Sequence, residues 1–292
     1  MSFFIPLEVI FMGIFVGAVY GLTGIGLSLV FSGIRNVVNL AHGVFAILAA
    51  YLALTMSTAL RLDPLFSTVA VVPIIFLFGF AIQYIMMNRV VFRQPTICMI
   101  ILVGIGSIIE NSMLLYWNPD PRSLAPYSSF ALKSFDLIIV RLPLIYLIAF
   151  CISVAATVML YFFLKFTYTG LAIRASSEDP TYSECLGVDT KRIYAYCFAI
   201  GVAVAALAGI AIGAIYTFVP SSGMAYTIMS FGVIVLGGLG SMRGALTGGI
   251  ILGIIQQLTA FYLGVAYQYF VGYIVIILLL TLRPEGIFGQ RV

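Results

Sequence analysis

Nine long apolar runs, parted by short polar connectors, dictate what this chain can fold into. They are roughly Leu7–Phe31, Leu40–Leu60, Phe66–Met87, Ile97–Trp117, Pro143–Phe166, Ile193–Phe218, Tyr226–Leu239, Ala245–Leu263 and Tyr267–Leu282. A helix needs about 20 apolar residues to cross a bilayer, so each longer run is a candidate span. Only 8% of the 292 residues are charged, against about 25% in soluble domains. So few charges cannot make a water-facing surface, whereas a lipid-facing one needs almost none. The expected fold is an all-α polytopic membrane bundle of eight or nine spans, forming one transmembrane domain over 1–292. The seventh run is short and broken by glycine, so runs seven and eight can form a discontinuous pair, which would lower the count to eight. Met1–Glu8 lacks the basic stretch of a leader, and the run after it is long enough to stay as the first span.

Basic residues orient the bundle, because Lys and Arg gather on the cytoplasmic side. With the N-terminus outside and nine crossings, ten of them lie inside: Arg35, Arg89, Arg93, Lys165, Arg174, Lys191, Arg192, Arg243, Arg283 and Arg291. Arg61, Arg122, Lys133 and Arg141 lie outside. Ten against four favours an outside N-terminus and a cytoplasmic C-terminus. Two loops are then long. The outer one, about 118–142, is stiffened by Pro119, Pro121 and Pro126, with an extended look over Phe130–Val140. The inner one covers about 167–192. No polybasic run suggests nucleic acid.

Small residues recur at spacings of four: Gly13, Gly17 and Gly21; Gly201, Ala205, Gly209 and Gly213; Gly240, Gly244 and Gly248. This puts small side chains on one helix face and lets neighbouring backbones approach. Cys98, Cys151, Cys185 and Cys197 form no C-x-x-C pair and read as buried small hydrophobes. One histidine, His42, excludes a two-histidine metal site. The three lysines are Lys133, Lys165 and Lys191, and none follows a glycine. The sequence therefore contains no phosphate-binding P-loop, and no G-x-S-x-G elbow marks a hydrolase. No cofactor is expected on this chain.

Four stretches carry polar groups in places that need an explanation. In the inner loop, Asp179 suits a helix N-cap, Pro180 the first helical position and Gly187 the stop. A helix of about two turns fits between them, either as a connector lying on the membrane face or as a docking helix that passes movement on from a cytoplasmic partner. Asn36, Asn39, His42 and Gly43 place two amides, an imidazole and a glycine at the start of a span. Either the asparagines cap that span and His42 is a satisfied structural residue, or the group lines a wet cavity. Gly237 and Gly238 open a glycine-rich break, where freed backbone groups can line a substrate path. Glu110 and Asn111 sit inside the fourth run, packed, paired or facing the pathway.

Taken together, these stretches resemble the membrane permeases of the branched-chain amino acid ABC importer family. The matching residues are Tyr20-Gly-Leu-Thr-Gly-Ile-Gly-Leu-Ser-Leu-Val, Val38-Asn-Leu-Ala-His-Gly43 (similar to an N-x-A-H-G hallmark) and Thr169-Gly-Leu-Ala-Ile-Arg-Ala175 followed by Leu186-Gly-Val. The helix from Phe198 to Gly209, Val235-Leu-Gly-Gly-Leu-Gly-Ser and Arg283-Pro-Glu-Gly-Ile-Phe-Gly289 follow in the expected order. The run Ser176-Ser-Glu-Asp-Pro departs from the alanine-rich stretch usual there. The resemblance implies a permease that moves a small solute unchanged across a bacterial or archaeal cytoplasmic membrane. Branched-chain or other hydrophobic amino acids lead as substrates, with urea, short amides or aromatic acids as alternatives. It implies two cytoplasmic ATPases that use ATP, a second permease chain and a solute-binding protein outside. Thr169, Gly170, Arg174, Ala175, Asp179, Pro180, Glu184 and Gly187 would form the ATPase-coupling loop. Asn36, Asn39, His42, Gly43, Glu110, Asn111, Gly237 and Gly238 are candidates for the pathway. The rivals are an ion-coupled transporter using Glu110 and an intramembrane enzyme, which would need a paired catalytic set.

Overall fold

Residues 7–34, 37–92, 94–131, 133–137, 140–283 and 286–288 are described by the computed structural model. Among them, nine helical spans are long and apolar enough to cross a bilayer. The helices are α1 (Leu7–Gly33), α2 (His42–Leu60), α3 (Pro64–Ala81), α4 (Pro95–Trp117), α5 (Leu144–Phe166), α6 (Tyr168–Glu178), α7 (Pro180–Cys185), α8 (Thr190–Ile215), α9 (Gly223–Gly237), α10 (Met242–Tyr262) and α11 (Gln268–Leu282). The chain is a polytopic helical membrane protein.

The spaced glycines decide which helices are central. A Cβ added at Gly17 would lie 2.5 Å from the Ile250 Cα, and one at Gly253 would lie 2.5 Å from the Gly17 Cα. So α1 and α10 pack antiparallel with their backbones touching, as small-residue faces permit where lipid offers no hydrophobic drive. Gly26 of α1 packs in the same way on Gly201 of α8, and Gly209 of α8 lies on the Ala46 backbone of α2. The most apolar window of α1 is 89% buried, against 22% for α5 and 17% for the last span. Hence α1 and α8 are the pillars, while α5 and α11 turn large apolar side chains such as Met159, Phe270 and Ile277 outward. Of the cysteines, Cys98 and Cys197 are buried, but Cys151 and Cys185 are exposed and so are not core residues.

Two spans do not run straight through. The connector at 37–41 is not helical, yet Val37, Asn39 and Ala41 are buried. It delivers His42 to the level of Thr23 and Gly26. Those residues lie about 10–15 Å in from the end of α1, at about 1.5 Å per residue. The second case follows α8. Residues 216–222 turn back into the bundle, and Gly223 starts α9 beside Val44. With 15 residues, α9 is about 22 Å long, short of the roughly 30 Å of hydrocarbon. Irregular backbone at such depth survives only inside protein or a wet cavity. The connector at 37–41 lies against α4 and α9, where Gly106 packs on Ala41 and the Thr227 hydroxyl reaches the Leu40 carbonyl, and residues 216–222 are held to the outer loop through Phe218 and Arg122.

The run-seven discontinuity therefore falls before α9. The expected break at Gly237 and Gly238 is a tight turn between antiparallel α9 and α10, where Gly237 packs on Gly244. The outer loop contains an antiparallel hairpin of β1 (Ser134–Leu137) and β2 (Val140–Pro143), as the extended look of Phe130–Val140 suggested. The same loop also enters the bundle. Arg122 pairs with Phe218 backbone to backbone, and the Leu124 N–H donates to the Gly213 carbonyl at 2.9 Å. The inner loop is mostly helical, with α6 preceding the expected short helix.

Candidate functional site

The re-entrant connector, the start of α2 and the start of α9 meet at one junction. Gly43 is the second residue of α2, so its N–H lacks an intrahelical partner. It donates to the Thr227 hydroxyl of α9 at 2.9 Å. That hydroxyl donates in turn to the Gly223 carbonyl at 3.1 Å, with the Leu40 carbonyl at 3.4 Å. A helix from the far end of the sequence thus caps α2. Glycine is required at 43 because an added Cβ would lie 2.5 Å from the Thr227 nitrogen.

His42 is fully buried, and its Nε2 lies 3.0 Å from the Thr23 carbonyl. A carbonyl only accepts, so Nε2 carries the proton and Nδ1 is a bare acceptor. Nδ1 has no protein partner. Asn39 is also fully buried. Its Oδ1 accepts from the Ala41 N–H at 3.1 Å, an Asx turn just ahead of α2, and its amide nitrogen has no partner. Capping of α2 therefore falls to Thr227 and not to Asn39. In this conformation neither His42 nor Asn39 is open to solvent. Asn36 lies outside the described residues.

The other pathway candidates are placed differently. Glu110 is half-buried and Asn111 exposed on α4, whose Gly106 packs on Ala41 and Val44. Ser107 and Ser112 are exposed beside them. Gly106 lies on the buried side of α4 that meets the junction, so Ser107, Asn111 and Ser112 point away from it, with Glu110 at the border between the two sides. Gly237 and Gly238 lie at the other end of α9, where Ile287 and Phe288 donate backbone N–H groups to the Leu236 and Gly237 carbonyls at 2.9 and 3.1 Å. The chain near its C-terminus thus satisfies carbonyls that the helix leaves open. Of the late signature Arg283–Gly289, residues 284, 285 and 289 lie outside the described residues.

The inner-loop residues form a second constellation. Thr167 caps α6, its hydroxyl accepting from the Gly170 N–H at 3.1 Å. Gly170 is buried against α5, where a Cβ would lie 2.5 Å from the Leu164 Cα. Asp179 caps α7, its Oδ1 accepting from Thr181 and Tyr182 at 2.8 and 3.0 Å. Pro180 opens that helix, and Gly187, at φ +85°, stops it. Glu184 is held by the Thr190 hydroxyl, which ties α7 to the start of α8. Thr169 lines an apolar groove between α3, α5 and α8. Arg174 and Ala175 are exposed, as are Leu171, Tyr182 and Leu186. The pair thus leaves several large apolar side chains uncovered.

Several functional-looking residues escaped the sequence reading. Thr227, Gly223 and Leu124 act through contacts with residues far away in the chain, which no local pattern reveals. A buried relay also joins the end of the third span to α8. Gln83 donates to Asn88 at 3.0 Å, and Asn88 donates to the Lys191 carbonyl at 2.9 Å. Among the described residues no cluster of three or more His, Cys, Asp or Glu could hold a metal.

Comparison with known proteins adds a relationship to this geometry. Residues 9–280 match the family described as branched-chain amino acid transport system permease component. The chain is 30% identical to the high-affinity branched-chain amino acid transport system permease protein LivH of Escherichia coli K12, over 97% of this chain and 96% of that protein. It is 29% identical to LivH of Salmonella typhimurium, over the same shares. It is also 29% identical to BraD of Pseudomonas aeruginosa, over 95% of this chain and 94% of the relative.

Proposed function

The chain belongs to the branched-chain amino acid transport system permease family, and on that premise we propose that it is the permease subunit of an ATP-driven importer. It moves a small solute, foremost a branched-chain or other hydrophobic amino acid, without changing it chemically. Two ATPases dock at the α6–α7 end, which is cytoplasmic, and a solute-binding protein docks at the hairpin end outside. The ATP is bound and used by those partners. The N-terminus lies outside and the C-terminus inside.

The observation that carries this reading is the α6–α7 pair. Its exposed side offers Leu171, Arg174, Ala175, Tyr182 and Leu186, while the pair is fastened to α5 through the buried Gly170 and to α8 through Glu184. A push on these helices is passed to two spans, one of them the pillar α8. From α8 the contact of Gly209 with Ala46 leads to α2 and the junction. The α4 face supports a second permease chain. Ser107, Asn111 and Ser112 are exposed well inside a span, and polar groups at that depth belong against protein or a water-filled path.

Ser183→Pro tests the coupling role. It removes the bond from the Ser183 N–H to the Asp179 carbonyl at 3.1 Å and costs about 3 kcal/mol inside a helix, more than six residues can hold. Complexes of the variant should assemble in the membrane and bind the solute-binding protein, yet lose uptake and its stimulation of ATP hydrolysis. Wild-type transport by both Ser183→Pro and Arg174→Glu would reduce α6–α7 to a connector.

A further inference from the structure

At the α6–α7 end a cavity of about 330 Å³ opens between the ends of α1 and α5, helix α6 and the α9–α10 turn. Two cations line it, Lys165 and Arg174, with the hydroxyl-bearing Ser32, Ser177 and Tyr161. The Arg174 guanidinium offers five N–H donors, and one of them reaches the Lys165 carbonyl at 3.5 Å. The Lys165 ammonium sits over the Tyr161 and Phe166 rings, 5.7 and 5.2 Å from their centroids. No described Asp or Glu lines the cavity. The charged side chains described at this pocket are therefore both cationic.

A second space, of about 240 Å³, adjoins the first, and Tyr161 and Met242 line both. It runs between α5 and α10 over Thr157, Val158 and Leu246, with Arg243 at its rim. These three residues lie one turn further into their spans than Tyr161 and Met242, so the groove descends into the hydrocarbon. Two independent observations thus coincide: a polar cationic pocket where the bundle meets water, and an apolar trough leading from it into the bilayer.

We propose that this pocket and groove bind an anionic phospholipid from the leaflet at the α6–α7 end. Lys165 and Arg174 hold its phosphate, the serine hydroxyls meet its glycerol or headgroup, and one acyl chain lies along Val158 and Leu246. Basic pockets between spans take anionic headgroups in this way. The lipid would tie α6 to α5 and to the α9–α10 turn, so the posture of the inner-loop helices would depend on it. The assignment requires the membrane-spanning fold and does not rest on the transport reading.

The test is lipid binding by the purified full chain in detergent, read by native mass spectrometry. Dioleoyl phosphatidylglycerol and dioleoyl phosphatidylcholine are titrated separately, and glycerol 3-phosphate and inorganic phosphate serve as soluble competitors. Phosphatidylglycerol should be retained about tenfold over phosphatidylcholine. Lys165→Gln and Arg174→Gln should each reduce that preference several-fold, and together abolish it, while Lys133→Gln at the hairpin end leaves it unchanged. Val158→Trp, at an exposed position of the groove, fills it and keeps both cations; it should lower phosphatidylglycerol occupancy and decides the matter if the charge variants do not fold. Equal retention of the two lipids overturns the proposal, as does an unchanged preference in the folded double variant or unchanged occupancy in Val158→Trp. Displacement of phosphatidylglycerol by millimolar glycerol 3-phosphate or phosphate alone would assign the pocket to a soluble anion and refute the lipid.

Discussion

Replacing Thr227 with valine keeps the side-chain shape and removes one oxygen. That oxygen accepts the Gly43 N–H at 2.9 Å. Thr227 is only 2% exposed and Gly43 is buried, so no solvent is at hand to replace the lost acceptor. A buried donor left without a partner costs about 1–3 kcal/mol. The valine methyl also comes to lie against the carbonyls of Gly223 and Leu40, so a loss of about 2 kcal/mol is expected. Thr227→Ser keeps the hydroxyl and gives up one methyl group, which costs about 1 kcal/mol in a packed interior. Thermal unfolding in mild detergent, followed by the fraction that stays monodisperse, should therefore rank wild type above serine and serine above valine. A valine variant as stable as wild type, or more stable than serine, would refute the claim that α9 caps α2.

Gly209→Ala should destabilise the bundle by about 1–3 kcal/mol, because a Cβ there runs into the Ala46 backbone. Gly104→Ala, where nothing lies within 4 Å, should leave the melting temperature of the isolated chain unchanged or slightly raised. In a background without the four native cysteines, a cysteine at Glu178 should react with an impermeant thiol reagent only after the membrane is opened. A cysteine at Ser129 should react from outside, and labelling of position 178 in intact cells would invert the proposed orientation.

The parts of this fold that were legible in the sequence are those set by local chemistry. Long apolar runs made the spans visible, and Asp179, Pro180 and Gly187 marked out α7 because capping, a fixed φ and a positive φ are properties of single residues. Helix α6 was missed because its buried positions, Gly170, Ala172, Ile173 and Ser176, are mostly small, so the apolar stripe of Tyr168–Glu178 is faint in the sequence. The two re-entrant segments were also hidden. Nothing near Asn39 reveals that residue 43 will rest on Gly223 and Thr227, 180 or more positions away, and that contact is what holds the connector inside the bilayer. The glycine spacing announced close helix packing without naming the partners. At the candidate site, Asn39, His42 and Gly43 did come together, whereas Gly237 and Gly238 lie at the opposite end of α9. The reason lies in packing: α9 starts deep and ends at the surface, so its glycine-rich end becomes a turn sealed by residues 286–288.

The most direct test of ATP-driven permeation is uptake of radiolabelled leucine, isoleucine and valine into proteoliposomes. These would hold the permease chain with its second permease and its ATPases, with the solute-binding protein added on one side. Uptake should need ATP on the side where α6–α7 lie, should persist with a protonophore present, and should vanish when the ATPases are omitted. Uptake by this chain alone, driven by a proton gradient and abolished by Glu110→Gln, would contradict the account.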